Sequence, residues 1–132
     1  MAPSEPGSFP SQPGTFSDPF QYTRDLPRGT WNLMINGRVY TLDVRHVSAS
    51  GRVQADLSSG TVEKATWDGI GTASIAGKLA FVRVSGDIRQ QYEGWLFQYA
   101  KLDPLWRMAG TVVHLDDSGA RSGWYGTLPR RS

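Results

Sequence analysis

The chain has 132 residues, a formal charge of +2 at neutral pH and no cysteine. That length makes one domain with a core of its own, and the missing cysteine excludes a disulfide framework and thiolate metal sites. No apolar run approaches the roughly 20 residues that span a bilayer, and no basic stripe of the kind that displaces counterions from nucleic acid is present.

Met1–Arg28 holds six of the eight prolines, two Arg against three acids, and no apolar period. Such composition favours extended or polyproline-like chain over a packed element. It also lacks a basic region followed by an apolar stretch, so no signal peptide is read there and a cytoplasmic location is expected. Phe9, Phe16, Phe20 and Tyr22 recur along it. Two readings stay open: an inert tail, or a strap whose aromatics dock on the following domain and cover its mouth. Residues 1–28 are accordingly set apart as a Pro/Gly/Ser-rich extension from a domain at 29–132.

Gly29–His46 reads as a β-hairpin. Asn36-Gly37 signals a two-residue type I′ turn, whose central residues both need positive φ. That loop pairs Ile35 with Arg38, Leu33 with Tyr40 and Trp31 with Leu42, so one face carries Trp31, Leu33, Ile35, Tyr40, Leu42 and Val44 and ends at His46. Ser48–Gly51 turns the chain into Arg52–Leu57. Pairing His46 with Val53 extends the apolar face through Ala55 and Leu57, and sets Asp43 against Asp56 on the outside. Thr61–Trp67 follows, then a Gly-rich connection over Asp68–Gly77 and a strand at Lys78–Val84. Ser85–Gln90 is read as a turn, leading to Gln91–Ala100.

The Asp103-Pro104 turn starts Leu105–Leu115. Pairing Ala100 with Leu105 turns Gln91, Glu93, Trp95, Phe97, Tyr99, Trp106, Met108, Gly110, Val112 and His114 inward, and leaves Leu96, Ala100, Leu105, Ala109 and Val113 outward. Asp116–Gly119 turns into Ser122–Leu128, where either Trp124 or Tyr125 points inward. The pattern predicts an all-β fold: an eight-stranded antiparallel up-and-down barrel with an irregular N-terminal extension.

Gly29-Thr30-Trp31 opening eight such strands resembles the calycins, the lipocalins, avidins and their relatives. Trp67-Asp68, Phe81-x-Arg83, Gln91-Tyr92-x-Gly94, Met108-Ala109-Gly110 and Gly123-Trp124-Tyr125 resemble small bacterial avidin-like barrels of unassigned function. The resemblance covers Gly29–Pro129. It implies that the Gly-x-Trp tryptophan packs against a basic side chain near the end of the last strand, Arg130 or Arg131. It does not carry biotin, because Trp31-Asn32-Leu33-Met34 lacks the Asn, Ser and Tyr set that surrounds the ureido group in avidins.

Tyr40, Gln91, Glu93, Trp95, Phe97, Tyr99, Trp106 and Met108 are the candidate ligand-binding residues, since small-molecule sites are largely apolar with a few placed polar groups. The same rings would equally fill so narrow a barrel. Glu93, Arg83 and His114 are the candidate catalytic groups. Arg83 points inward if Leu79 and Phe81 do, and would then pair with Glu93 or meet a ligand, because an isolated buried charge is costly. His46 and His114 come from distant strands without acids at ligand spacing, so no metal and no cofactor is expected.

The expected function is binding of a small, mostly apolar molecule inside the barrel. One alternative is a cyclase, for example a [4+2] pericyclase, that folds a flexible polyketide-type substrate under an N-terminal lid. Such catalysis needs shape and desolvation rather than a triad. Another is a structural module with a filled interior. A homo-oligomer, most simply a dimer, is expected through Leu96, Leu105, Ala109 and Val113.

Overall fold

The computed structural model describes residues 22–71, 74–98, 102–116 and 118–130. Among them the strands are β1 (Tyr22–Thr23), β2 (Gly29–Ile35), β3 (Arg38–Val47), β4 (Val53–Leu57), β5 (Thr61–Asp68), β6 (Ile70–Gly71), β7 (Ile75–Ser85), β8 (Ile88–Phe97), β9 (Leu105–His114) and β10 (Arg121–Pro129), with no helix. Eight of them form one antiparallel sheet in the order β4-β3-β2-β10-β9-β8-β7-β5. Its edge strands meet through an Arg52–Thr66 bridge and a hydrogen bond from Trp67 N to Gly51 O of 2.7 Å, so the sheet curls into a nearly closed barrel.

The opening hairpin has the expected register from Gly29↔Val44 to Ile35↔Arg38. Asn36 and Gly37 take φ of 50° and 76°, the sign that a type I′ turn demands. Asp43 does face Asp56, and Arg45 answers the like charges by pairing with Asp56 at 3.0 Å. Beyond Val44 a bulge shifts the ladder, so His46 meets Gln54 and Val47 meets Val53. The extra residue turns His46 out to solvent, against the inward position expected for it.

The core runs the length of the barrel and is made of Trp31, Leu33, Leu42, Val44, Leu79, Phe81, Tyr92, Leu96, Met108, Val112, Trp124 and Leu128 with their neighbours. Burying side chains of this size stabilises by about 1.5–3 kcal/mol each. On β10 it is Trp124 that points inward, while Tyr125 is 53 % exposed.

The main correction concerns β8. Gly86 and Asp87 alone make the turn, so Ser85 pairs with Ile88, Phe81 with Tyr92 and Leu79 with Gly94. On the other side Gly94 faces Gly110 and Leu96 faces Met108. This is one residue away from the expected register, and with a period of two the whole strand changes face. Tyr92, Gly94 and Leu96 therefore fill the barrel, and Gln91, Glu93, Trp95 and Phe97 lie on its outer surface. Leu96, expected at an oligomer contact, is fully buried instead. Tyr99 and Ala100 lie outside the described residues.

Candidate functional site

The two ends of the barrel are built differently. One end is crossed by Arg24–Arg28, the chain just before β2. Leu26 inserts there and is 2 % exposed. The indole N–H of Trp31 donates to Pro27 O at 3.0 Å, and that of Trp67 donates to Arg24 O at 2.9 Å. β1 pairs with β6 alongside, and Arg24 N donates to Gly69 O at 2.9 Å. Trp106 is half-buried at this end, with the guanidinium groups of Arg24 and Arg130 at 5.3 and 5.7 Å from its ring centre. The basic residue after the last strand thus lies over Trp106. Leu26, in the segment before β2, thus covers this end. Phe9, Phe16 and Phe20 lie outside the described residues.

His46 opens onto a cleft on the same side, of about 680 Å³, shared with Arg24, Arg28 and Asp68. His114 lies at the other end, so the two histidines do not meet. Among the described residues no three His, Asp or Glu side chains come together as a metal site. No helix among them is long and apolar enough to cross a membrane.

The opposite end is rimmed by the four hairpin turns at 36–37, 58–60, 86–87 and 115–120. Its distinctive group is Arg83, which follows Leu79 and Phe81 on the inward phase of β7 and is 8 % exposed. Arg83 Nε donates to Ser59 O at 2.9 Å and Nη2 to Ser59 Oγ at 3.0 Å, tying the β4–β5 turn to β7. Nη1 donates to Gln90 Oε1 at 2.7 Å, and the Tyr40 ring centre lies 5.4 Å from the guanidinium carbon.

These contacts fix the next group in line. Arg83 only donates, so Gln90 must present its carbonyl oxygen to it and turn its NH2 the other way. That NH2 meets His114 Nε2 at 3.1 Å. His114 Nε2 is therefore the acceptor, and the neutral ring carries its proton on Nδ1. Arg83, Gln90 and His114 form a directional chain across β7, β8 and β9.

Below them lies an aromatic wall. Phe81 and Tyr92 stack with centres 4.7 Å apart and planes at 11°, and Trp124 follows at 6.0 Å and 54°. The Trp124 indole N–H donates to Thr111 O at 3.0 Å, which locks the ring. Burial pushes the Tyr92 hydroxyl up to about 12; the Arg83 charge pulls it down and Tyr40 adds to the rise. Tyr92 thus stays neutral and leaves the charge of Arg83 unanswered.

Of the residues expected at a site, the structure brings Arg83, His114 and Tyr40 together at the hairpin end, with Met108 deeper in the core and Trp106 at the strap end. Glu93 does not pair with Arg83. It faces outward and meets Lys78 at 3.0 Å, an exposed pair of the kind worth little, and Lys78 also lies 5.7 Å from the Trp95 ring centre. Gln91 sits on that outer face too, bonded to backbone carbonyls of Phe81 and Tyr92 at 3.4 and 3.3 Å. Ser59, Gln90 and Tyr92 are the members that sequence reasoning missed. The two-residue turn at Gly86-Asp87 was the available signal, since it alone sets Gln90 beside Arg83.

The eight-stranded barrel and its Gly29-Thr30-Trp31 opening are consistent with a calycin-like fold. No family model, no curated protein and no solved structure matches the chain.

Proposed function

We propose that the barrel binds a small, mostly apolar molecule through its hairpin end. The observation that carries this reading is the inequality of the two ends. At the strap end Leu26 and indole–carbonyl bonds cover the barrel interior, whereas the hairpin end sets a polar group of Arg83, Gln90 and His114 above the Phe81–Tyr92–Trp124 wall. A few convergent polar groups over an aromatic floor make the usual composition of a small-molecule site. A cyclising activity on a flexible substrate would use the same end and would add turnover to binding.

Native mass spectrometry of the full chain isolated from its source tests the reading. The expected result is a small-molecule adduct that is lost on denaturation. A bare mass, together with no heat on titration with either 4-phenylbutyramide or 4-phenylbutyrate, overturns it.

We also infer that copies of the barrel associate through the outer surface. Trp95, Ala109, Tyr125, Met34 and Val39 are successive cross-strand partners on β8, β9, β10, β2 and β3. Tyr125 and Val39 are 53 % and 59 % exposed. A row of this kind is more apolar than an unpartnered surface requires. It keeps Ala109 from the expected contact set and replaces Leu96 with Tyr125.

A further inference from the structure

We infer that the ligand of the hairpin end is an acid, held by its carboxylate against Arg83. This rests on the binding reading above and names the chemistry that the site selects.

The argument begins with the donors. A guanidinium has five N–H groups and accepts nothing. Ser59 O, Ser59 Oγ and Gln90 Oε1 take one each. One N–H on Nη1 and one on Nη2 are left without an acceptor among the described residues, and neighbouring nitrogens of this kind suit the two oxygens of a carboxylate.

Charge points the same way. The ion pairs among the described residues join Arg45 to Asp56, Lys78 to Glu93, Arg89 to Glu63 and Arg107 to Asp103. None includes Arg83, whose three acceptors are uncharged and whose ring neighbour Tyr40 offers only a π-face. A cation taken into a barrel without a counter-ion costs stability, and an anionic ligand would offset that cost. A turn tied by Ser59 is served as well by a neutral donor. An acid gains most from a cation.

The polar group also discriminates by direction. Gln90 and His114 are oriented so that Gln90 spends its oxygen on Arg83 and its NH2 on His114. No carboxylate among the described residues competes for the fork, because the β8 register puts Glu93 on the outside.

Calorimetric titration of the full chain with 4-phenylbutyrate and with 4-phenylbutyramide tests this, since the two probes share size and body. Wild type should bind the acid about ten- to a hundredfold more tightly than the amide, the range of a charge-assisted hydrogen bond. Arg83→Gln should bring the two affinities together. Because Arg83 also ties the β4–β5 turn, Gln90→Glu is the companion variant: it leaves the turn intact and supplies an internal carboxylate to the same fork. It should abolish the preference for the acid. Equal affinity for acid and amide in wild type overturns the inference while leaving the binding reading in place. So does a preference that survives in Gln90→Glu. Failure of both probes to bind wild type at millimolar concentration removes the binding reading, and this inference with it.

Discussion

Trp124 lies against Gly94 so closely that a Cβ at position 94 would come within 2.4 Å of the indole ring. The ring cannot swing away, because its N–H is held by Thr111 O. Gly94→Ala should therefore destabilise the barrel by about 1–3 kcal/mol, as overpacking of a filled core does. Urea unfolding of the variant checks this, and an unchanged midpoint would show that the ring is free to move.

The strap offers a second test. Leu26 is buried although it stands in the proline-rich region of the chain. Leu26→Ala should cost about 2–5 kcal/mol, the range for a large-to-small change in a core. Asp25→Asn on the exposed side of the same segment should stay within about 0.5 kcal/mol of wild type. Equal effects at the two positions in denaturant unfolding would mean that the strap does not close the barrel.

Alkaline pH should act through Tyr92. Its hydroxyl is pushed up to about 12 from 10.0, chiefly by burial. The native state therefore holds this proton more tightly than the unfolded chain does. Stability from this source is complete below pH 10 and is lost as pH climbs from about 10 toward 12. Tyr92→Phe should show a shallower loss over that interval when stability is measured by chemical denaturation at successive pH values. Parallel curves for the two proteins would contradict the burial of the hydroxyl.

Assembly is checked on the outer row. Tyr125→Lys should convert the dimer to monomer in sedimentation at micromolar concentration. An exposed change of this kind should shift the free barrel's stability by no more than about 0.5 kcal/mol. A wild-type protein that sediments as a monomer at those concentrations ends the proposal.

How much of this was legible in the chain depended on turns. Asn36-Gly37 is a two-residue loop that leaves no freedom, and the register read from it agrees with the structure at every pair from Gly29 to Ile35. Ser85–Gln90, read as a longer turn, hid an equally tight one at Gly86-Asp87, where Gly86 has φ of +60°. Counting from Asp103-Pro104 instead gave β8 the wrong phase, since Leu96 and not Phe97 pairs with Met108. Gln91–Phe97 has large apolar or aromatic side chains in both phases, so hydrophobicity could not arbitrate. The strap plug was hidden for a different reason. Proline content speaks for extended backbone; that Leu26 is also buried goes with two indoles, nearby Trp31 and distant Trp67, that take carbonyl acceptors from its segment.

The ladder between β2 and β10 joins the first long strand to the last. On the ribosome, β2, β3 and β4 therefore emerge as a short sheet whose apolar face is uncovered and whose β2 edge has no partner until Arg121–Pro129 has been made. Bare edges and uncovered apolar faces are what draw nascent chains into aggregates. The strap does nothing to shorten this wait, since Leu26 has no cavity to enter before the barrel closes. A chain that stops before Trp124 thus lacks the pairing that joins β2 to the rest of the barrel.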